Sequence, residues 1–136
     1  MAISIDTNVL LRLALNDVPG QFEQVIDLID AARTNEIQVA DAAFFELVWV
    51  LSGPSYGLSR AEVARVVMRI MEIPELNCNR RLFARALPMY TANKRISFVD
   101  ACLVCYAELN RAVPLMTFDK DLVKAYPDSA QLVTAP

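Results

Sequence analysis

The chain of 136 residues contains no histidine. That absence excludes Ser-His-Asp triads, Cys-His dyads, histidine-ligated zinc and histidine general bases. Any catalysis must run on carboxylates, amines, hydroxyls, thiols or a metal held by oxygen. Cysteine is scarce as well. There are three, an odd number, and no spacing that suggests a secreted disulfide framework. Glycine is scarcer than proline, three against seven, and the prolines are scattered. No linker, internal repeat or low-complexity tract stands out. Long uncharged apolar runs are missing too, because Asp or Glu breaks each one well short of a membrane-spanning length. The start, Met1-Ala2-Ile3-Ser4-Ile5-Asp6, has no basic segment, so no signal peptide is expected. What is present, 55% hydrophobic and 21% charged residues, is the composition of a globular chain. The expectation is one domain over residues 1–136, soluble and cytoplasmic, with no membrane partner.

Positive charge is in short supply overall, at a net of −3. This argues against a large basic nucleic-acid surface. The distribution is uneven, however. Residues 1–79 hold five basic and eleven acidic side chains, a net of −6. Residues 80–124 hold eight basic and four acidic ones, a net of +4. The second region surrounds a few carboxylates with Lys and Arg; a solvated helix face would look the same.

Hydrophobic periodicity orders the elements. Ala2 to Ile5 is an apolar strand, followed by a helix from Val9 to Leu15 that is apolar nearly all round and therefore expected to be buried. A second helix, about 20–33, puts Phe22, Val25, Ile26, Ile29 and Ala32 on one face. Ile37 to Ala40 is a strand, with Asp41 placed to cap a helix from Ala42 to Leu51 that Ser52-Gly53-Pro54 stops. Ser59 caps the next helix, which Pro74 ends. Glu75 to Cys78 is a short strand, and Leu82, Phe83, Ala86, Leu87 and Tyr90 mark a helix after it. Ser97 begins a helix through about Asn110. Leu115 to Phe118 is a strand, Lys120 to Ala125 a short helix, and Gln131 to Thr134 a last strand. Strands alternating with helices predict an α/β fold, with a mostly parallel sheet carrying helices on both faces. Sites in such folds form beyond the carboxyl ends of the strands.

Four acids carry the functional argument. Asp6 follows the first strand, and helix capping competes with function there. Glu46 is the only charge in Ala42 to Leu51. If buried it needs a cation or a partner; otherwise it faces solvent on an exposed stripe or pairs with an Arg. Asp100 has capping-box spacing from Ser97, with Asp in place of Glu, and a capping carboxylate keeps a free oxygen. Asp119 ends the strand at Phe118 and mirrors Asp6, with Asp121 two residues on. If these acids converge, mutual repulsion requires a cation among them. With no histidine or cysteine in the set, the fitting ion is Mg²⁺ or Mn²⁺. Its chemistry would be phosphoryl transfer or phosphodiester hydrolysis, and the basic region would hold flanking phosphates. Cys102 and Cys105 form a C-x-x-C on an apolar helix with no second pair, which reads as core packing.

Ile5-Asp6-Thr7-Asn8, the lone Glu46, Ser97-Phe98-Val99-Asp100-Ala101 and Thr117-Phe118-Asp119-Lys120-Asp121 together resemble the PIN-domain nucleases. The short length and Tyr56-Gly57-Leu58-Ser59 resemble VapC-type toxins of toxin–antitoxin pairs. The resemblance implies a three-layer α/β/α fold with a five-stranded, mostly parallel sheet. It implies an acidic quartet, Asp6, Glu46, Asp100 and Asp119, that binds Mg²⁺ or Mn²⁺, with Asp121 as an outer acid. Thr7, Asn8 and Thr117 would support the acids. The implied activity is endonucleolytic cleavage of RNA such as tRNA or rRNA. The implied partners are a second copy in a homodimer and a small antitoxin protein that blocks the site. A haloacid dehalogenase-type phosphatase would also use Asp6, but needs a second Asp where Asn8 stands. A receiver-type domain would need an acidic pair near the start, which is not evident. A non-catalytic binding module remains the third alternative, although all four acids are present.

Overall fold

Asp6 sets where the first helix begins. In the computed structural model, which describes residues 2–134, the Asp6 side chain accepts the Val9 N–H at the N-cap of α1 (Thr7–Leu15). The helix therefore opens two residues earlier than the expected start at Val9. Nor is it buried all round: only Thr7, Leu10 and Leu11 are buried.

The backbone divides into two units, one ending at Asn79 and the other beginning at Arg80. The division falls at the boundary between the acidic and basic parts of the sequence. The first unit contains β1 (Ile3–Ser4), α1, α2 (Gln21–Asp30), β2 (Ile37–Gln38), α3 (Asp41–Ser52), α4 (Arg60–Met71) and β3 (Leu76–Asn77). Its sheet has the order β1-β2-β3, all parallel, pairing Ile3 with Ile37 and Ile37 with Leu76. Asn77 Nδ2 donates to Gln38 Oε1 at 2.7 Å, tying the ends of β2 and β3. α1 packs on both α2 and α3, and α3 on α4. Leu10, Phe44, Leu47, Leu51, Val63 and Val67 are completely enclosed. Each such large apolar side chain contributes about 1.5–3 kcal/mol.

The second unit contains α5 (Arg80–Ala92), α6 (Phe98–Leu109), β4 (Leu115–Thr117), α7 (Lys120–Ala125) and β5 (Ala130–Leu132). β4 and β5 pair in parallel, with Met116 opposite Gln131. α5 lies along α6, where Phe98 meets Phe83 (ring centroids 5.8 Å) and Tyr90 edge-on (5.7 Å, 80°). Cys102 and Cys105 are buried in this core, as their apolar setting predicts, and Cys105 Sγ lies 3.2 Å from Met89 Sδ.

The α/β class and the parallel pairing agree with the sequence. The five strands among the described residues are shorter than expected and fall into a three-stranded and a two-stranded sheet. Three of the capping expectations have clear outcomes. Ser59 and Glu62 form a complete capping box, and Ser97 caps α6 by accepting the Asp100 N–H. Asp41 does not cap α3: Ala40 holds that position, and Asp41 lies in the first turn. Its Oδ2 accepts a hydrogen bond from Asn79 Nδ2 at 3.2 Å, a long-range partner that draws the carboxylate away from the cap.

Candidate functional site

Two strand-to-helix turns have the same construction. Asp6 stands two residues beyond the end of β1 and caps α1, its Oδ1 accepting the Val9 N–H at 3.0 Å. Asp119 stands two residues beyond the end of β4 and caps α7. Its Oδ1 accepts the N–H groups of Asp121 (2.9 Å) and Leu122 (3.2 Å). In both turns one carboxylate oxygen anchors the backbone and the other lies outside the cap. The capping and functional roles weighed for these residues are therefore compatible.

Supporting residues differ between the turns. Thr7 opens α1 and is the buried polar residue of that turn, whereas Asn8 is exposed. Thr117 Oγ1 accepts the Asp119 N–H at 3.0 Å, which fixes the approach of the chain to the cap.

Glu46 lies on the outer face of α3. The buried stripe of that helix is Ala43, Phe44, Leu47, Val48 and Leu51, and Glu46 is exposed together with Ala42 and Trp49. Of the alternatives for this lone acid, solvent exposure is the one the structure has. The cost of an unpaired buried carboxylate does not arise. The same face presents Trp49, one turn on and 78% exposed.

Asp100 is half-buried in the first turn of α6. Its backbone N–H donates to Ser97 Oγ at 3.0 Å. Only this half of the expected box forms, because Asp is one methylene shorter than the Glu that completes the Ser59 box. Asp121 faces Arg95 at 3.6 Å. Both line a cleft of about 340 Å³ with Asn93, Lys124 and Ala125. Phe118, between Thr117 and Asp119, is 80% exposed.

Among the described residues, no three His, Cys, Asp or Glu side chains stand as a group that could hold a metal ion. Taken one at a time, the candidate acids offer oxygen donors, the type a hard cation takes. Asp6 and Asp119 each keep an oxygen, and the carboxylates of Glu46 and Asp100 accept no hydrogen bond among the described residues. Burial, and then the nearby Glu108, push the Cys105 thiol up to about 11, and Cys102 is buried beside it on α6. All-oxygen ligation fits Mg²⁺ or Mn²⁺.

Two exposed aromatics, Trp49 and Phe118, went unnoticed in the sequence. The available signal was position: Trp49 is three residues from Glu46 on a helix, and Phe118 adjoins Asp119.

Parallel strands leading through carboxylate-capped turns into helices define an α/β protein with its acids at the strand ends. The chain belongs to the PIN domain family, whose model matches residues 3–126. PIN domains are generally metal-dependent nucleases, hydrolases that use divalent ions. No curated protein gives a significant match to the chain. None of the described helices is long and apolar enough to cross a membrane.

Proposed function

We propose that the protein is a metal-dependent endoribonuclease and the toxin of a VapC-type toxin–antitoxin pair. The observation that carries the nuclease reading is the repeated turn: Asp6 and Asp119 each follow a parallel strand, cap a helix with one oxygen and keep the other. Membership of a nuclease family over most of the chain supports it. The toxin assignment rests on the sequence resemblance, and it carries with it an antitoxin protein, a homodimer and a cytoplasmic setting.

Asp6, Glu46, Asp100 and Asp119 are the residues proposed to hold Mg²⁺ or Mn²⁺, with Asp121 in an outer position. When bound, such an ion supplies Lewis acidity at the scissile phosphate and lowers the pKa of an attacking water. The chain's own residues do the rest. Thr117 and the α7 backbone orient Asp119, and Thr7, next in sequence to Asp6, opens α1 as a buried residue. Arg95 and Lys124 offer positive charge to flanking phosphates. Trp49 and Phe118 offer exposed rings on which unpaired bases can stack; such stacking contributes about 1–3 kcal/mol per base. RNA such as tRNA or rRNA is the proposed substrate.

The test is a Mn²⁺ titration followed by paramagnetic broadening of backbone signals. The expected result is broadening at residues 6, 46, 100 and 119 in the wild type, strongly weakened in Asp6→Asn and in Asp119→Asn. Broadening that spares these positions, or that survives both substitutions, removes the quartet as ligands.

A further inference from the structure

Beside Asp6 lies a groove that the hydrolysis does not use. α1 and α2 pack together, and their outer faces leave an open groove of about 440 Å³. Its polar lining is the amides Asn8, Gln21 and Gln24, with Asp6 at one side; Val9 and Leu28 give it apolar surface. All three amides are exposed, and none makes a side-chain hydrogen bond among the described residues.

The chemistry of this lining selects among occupants. Phosphate calls for available cations, and the groove's one cation is committed. Arg12 pairs with Asp17 at 2.9 Å and is only 17% exposed. The Tyr56 hydroxyl donates to the other oxygen of Asp17 at 3.2 Å, fixing that pair. An amphipathic peptide calls for a longer apolar stripe than Val9, Val25 and Leu28 supply. A nucleobase calls for what is present: apolar surface for its faces, and neutral groups that both donate and accept for its edge. Asn and Gln are the side chains that pair with base edges in this way. RNA readers take unpaired bases in such sites.

We propose that the α1–α2 groove is a base-reading subsite. It takes an unpaired nucleobase of the RNA near the phosphate to be cleaved, with Gln21, Gln24 and Asn8 reading its hydrogen-bonding edge. The proposal rests on the nuclease reading, because Asp6 belongs to both the groove and the proposed metal ligands. It makes these amides the determinants of which site in an RNA is cut.

The experiment uses full-length Asp100→Asn protein, so that RNA is bound and not consumed. Oligoribonucleotides of A, C, G or U alone, and an abasic ribose-phosphate oligomer, are titrated while the side-chain NH₂ signals of Asn8, Gln21 and Gln24 are followed by NMR. The expected result is one preferred homopolymer that shifts these signals, and an abasic oligomer that does not. Combining Gln21→Ala with Gln24→Ala lowers affinity for the preferred oligomer about tenfold and brings the four within about twofold of one another. Gln24→Glu changes which oligomer is preferred. Equal binding of the abasic oligomer, an unchanged preference in the double variant, or RNA that leaves the amide signals in place overturns the proposal. The last pattern is what a groove reserved for a protein partner would give. Failure of the nuclease reading looks different: these shifts would be present, but the wild type would cut no RNA with Mg²⁺ or Mn²⁺.

Discussion

Asp6 Oδ1 accepts the Val9 N–H at 3.0 Å, so the first candidate ligand is also the cap of α1. Asn caps as well as Asp, whereas Ala does not. Asp6→Asn is therefore expected to melt like the wild type, and Asp6→Ala to lose about 1 kcal/mol in urea unfolding. Both should lose RNA cleavage by at least about 100-fold. A cleaving Asp6→Asn would reduce Asp6 to its capping role.

Glu46 is exposed on α3, so removing its charge costs the fold little. Glu46→Gln should hold the wild-type stability to within about 0.5 kcal/mol. The same variant should need more Mg²⁺ for half-maximal cleavage. An unchanged metal response would show that this exposed acid is not a ligand.

The Ser59–Glu62 box gives α4 a pH-sensitive start. The Ser59 backbone N–H, and then its side chain, hold the Glu62 carboxyl below its ordinary value of 4.5. A depressed carboxylate contributes stability that is complete above that ordinary value and is lost as pH falls through the lower, folded-state value. Ser59→Ala should cost about 1 kcal/mol at neutral pH. Glu62→Gln should flatten the acid limb of the stability curve below pH 4.5, measured by urea melts across pH.

Cys105 behaves in the opposite sense. Burial raises its thiol from 9.0 to about 11, so the folded state keeps the proton longer than the unfolded one. Its contribution is complete below pH 9.0 and is lost as pH rises toward 11. Cys105→Ser should soften that alkaline decline. In thiol labelling at neutral pH, half-exposed Cys78 should react first, and buried Cys102 and Cys105 only on unfolding. Rapid native-state labelling of Cys105 would contradict this.

Features set by local chemistry were legible in the sequence. Ser59 and Ser97 announce their helices through side-chain-to-backbone bonds three residues away, and the helix Lys120–Ala125 has the bounds its sequence predicts. Asp41 misled because its carboxylate answers to Asn79, thirty-eight residues distant. The exposure of Glu46 stays open in the sequence because an almost wholly apolar helix hides which of its faces is covered; only packing against α1 and α4 decides that. The amide groove was illegible for a related reason. Gln21 and Gln24 read as ordinary solvent-facing residues until α1 brings Asn8 alongside them.

The central claim is most directly tested by cleavage of a tRNA and rRNA panel with Mg²⁺, with Mn²⁺ and with chelator, using wild type and identically purified Asp100→Asn. Cuts at discrete sites by the wild type alone, abolished by chelator, are expected. Equal cutting by both proteins, or no cutting by antitoxin-free wild type with either metal, would contradict it.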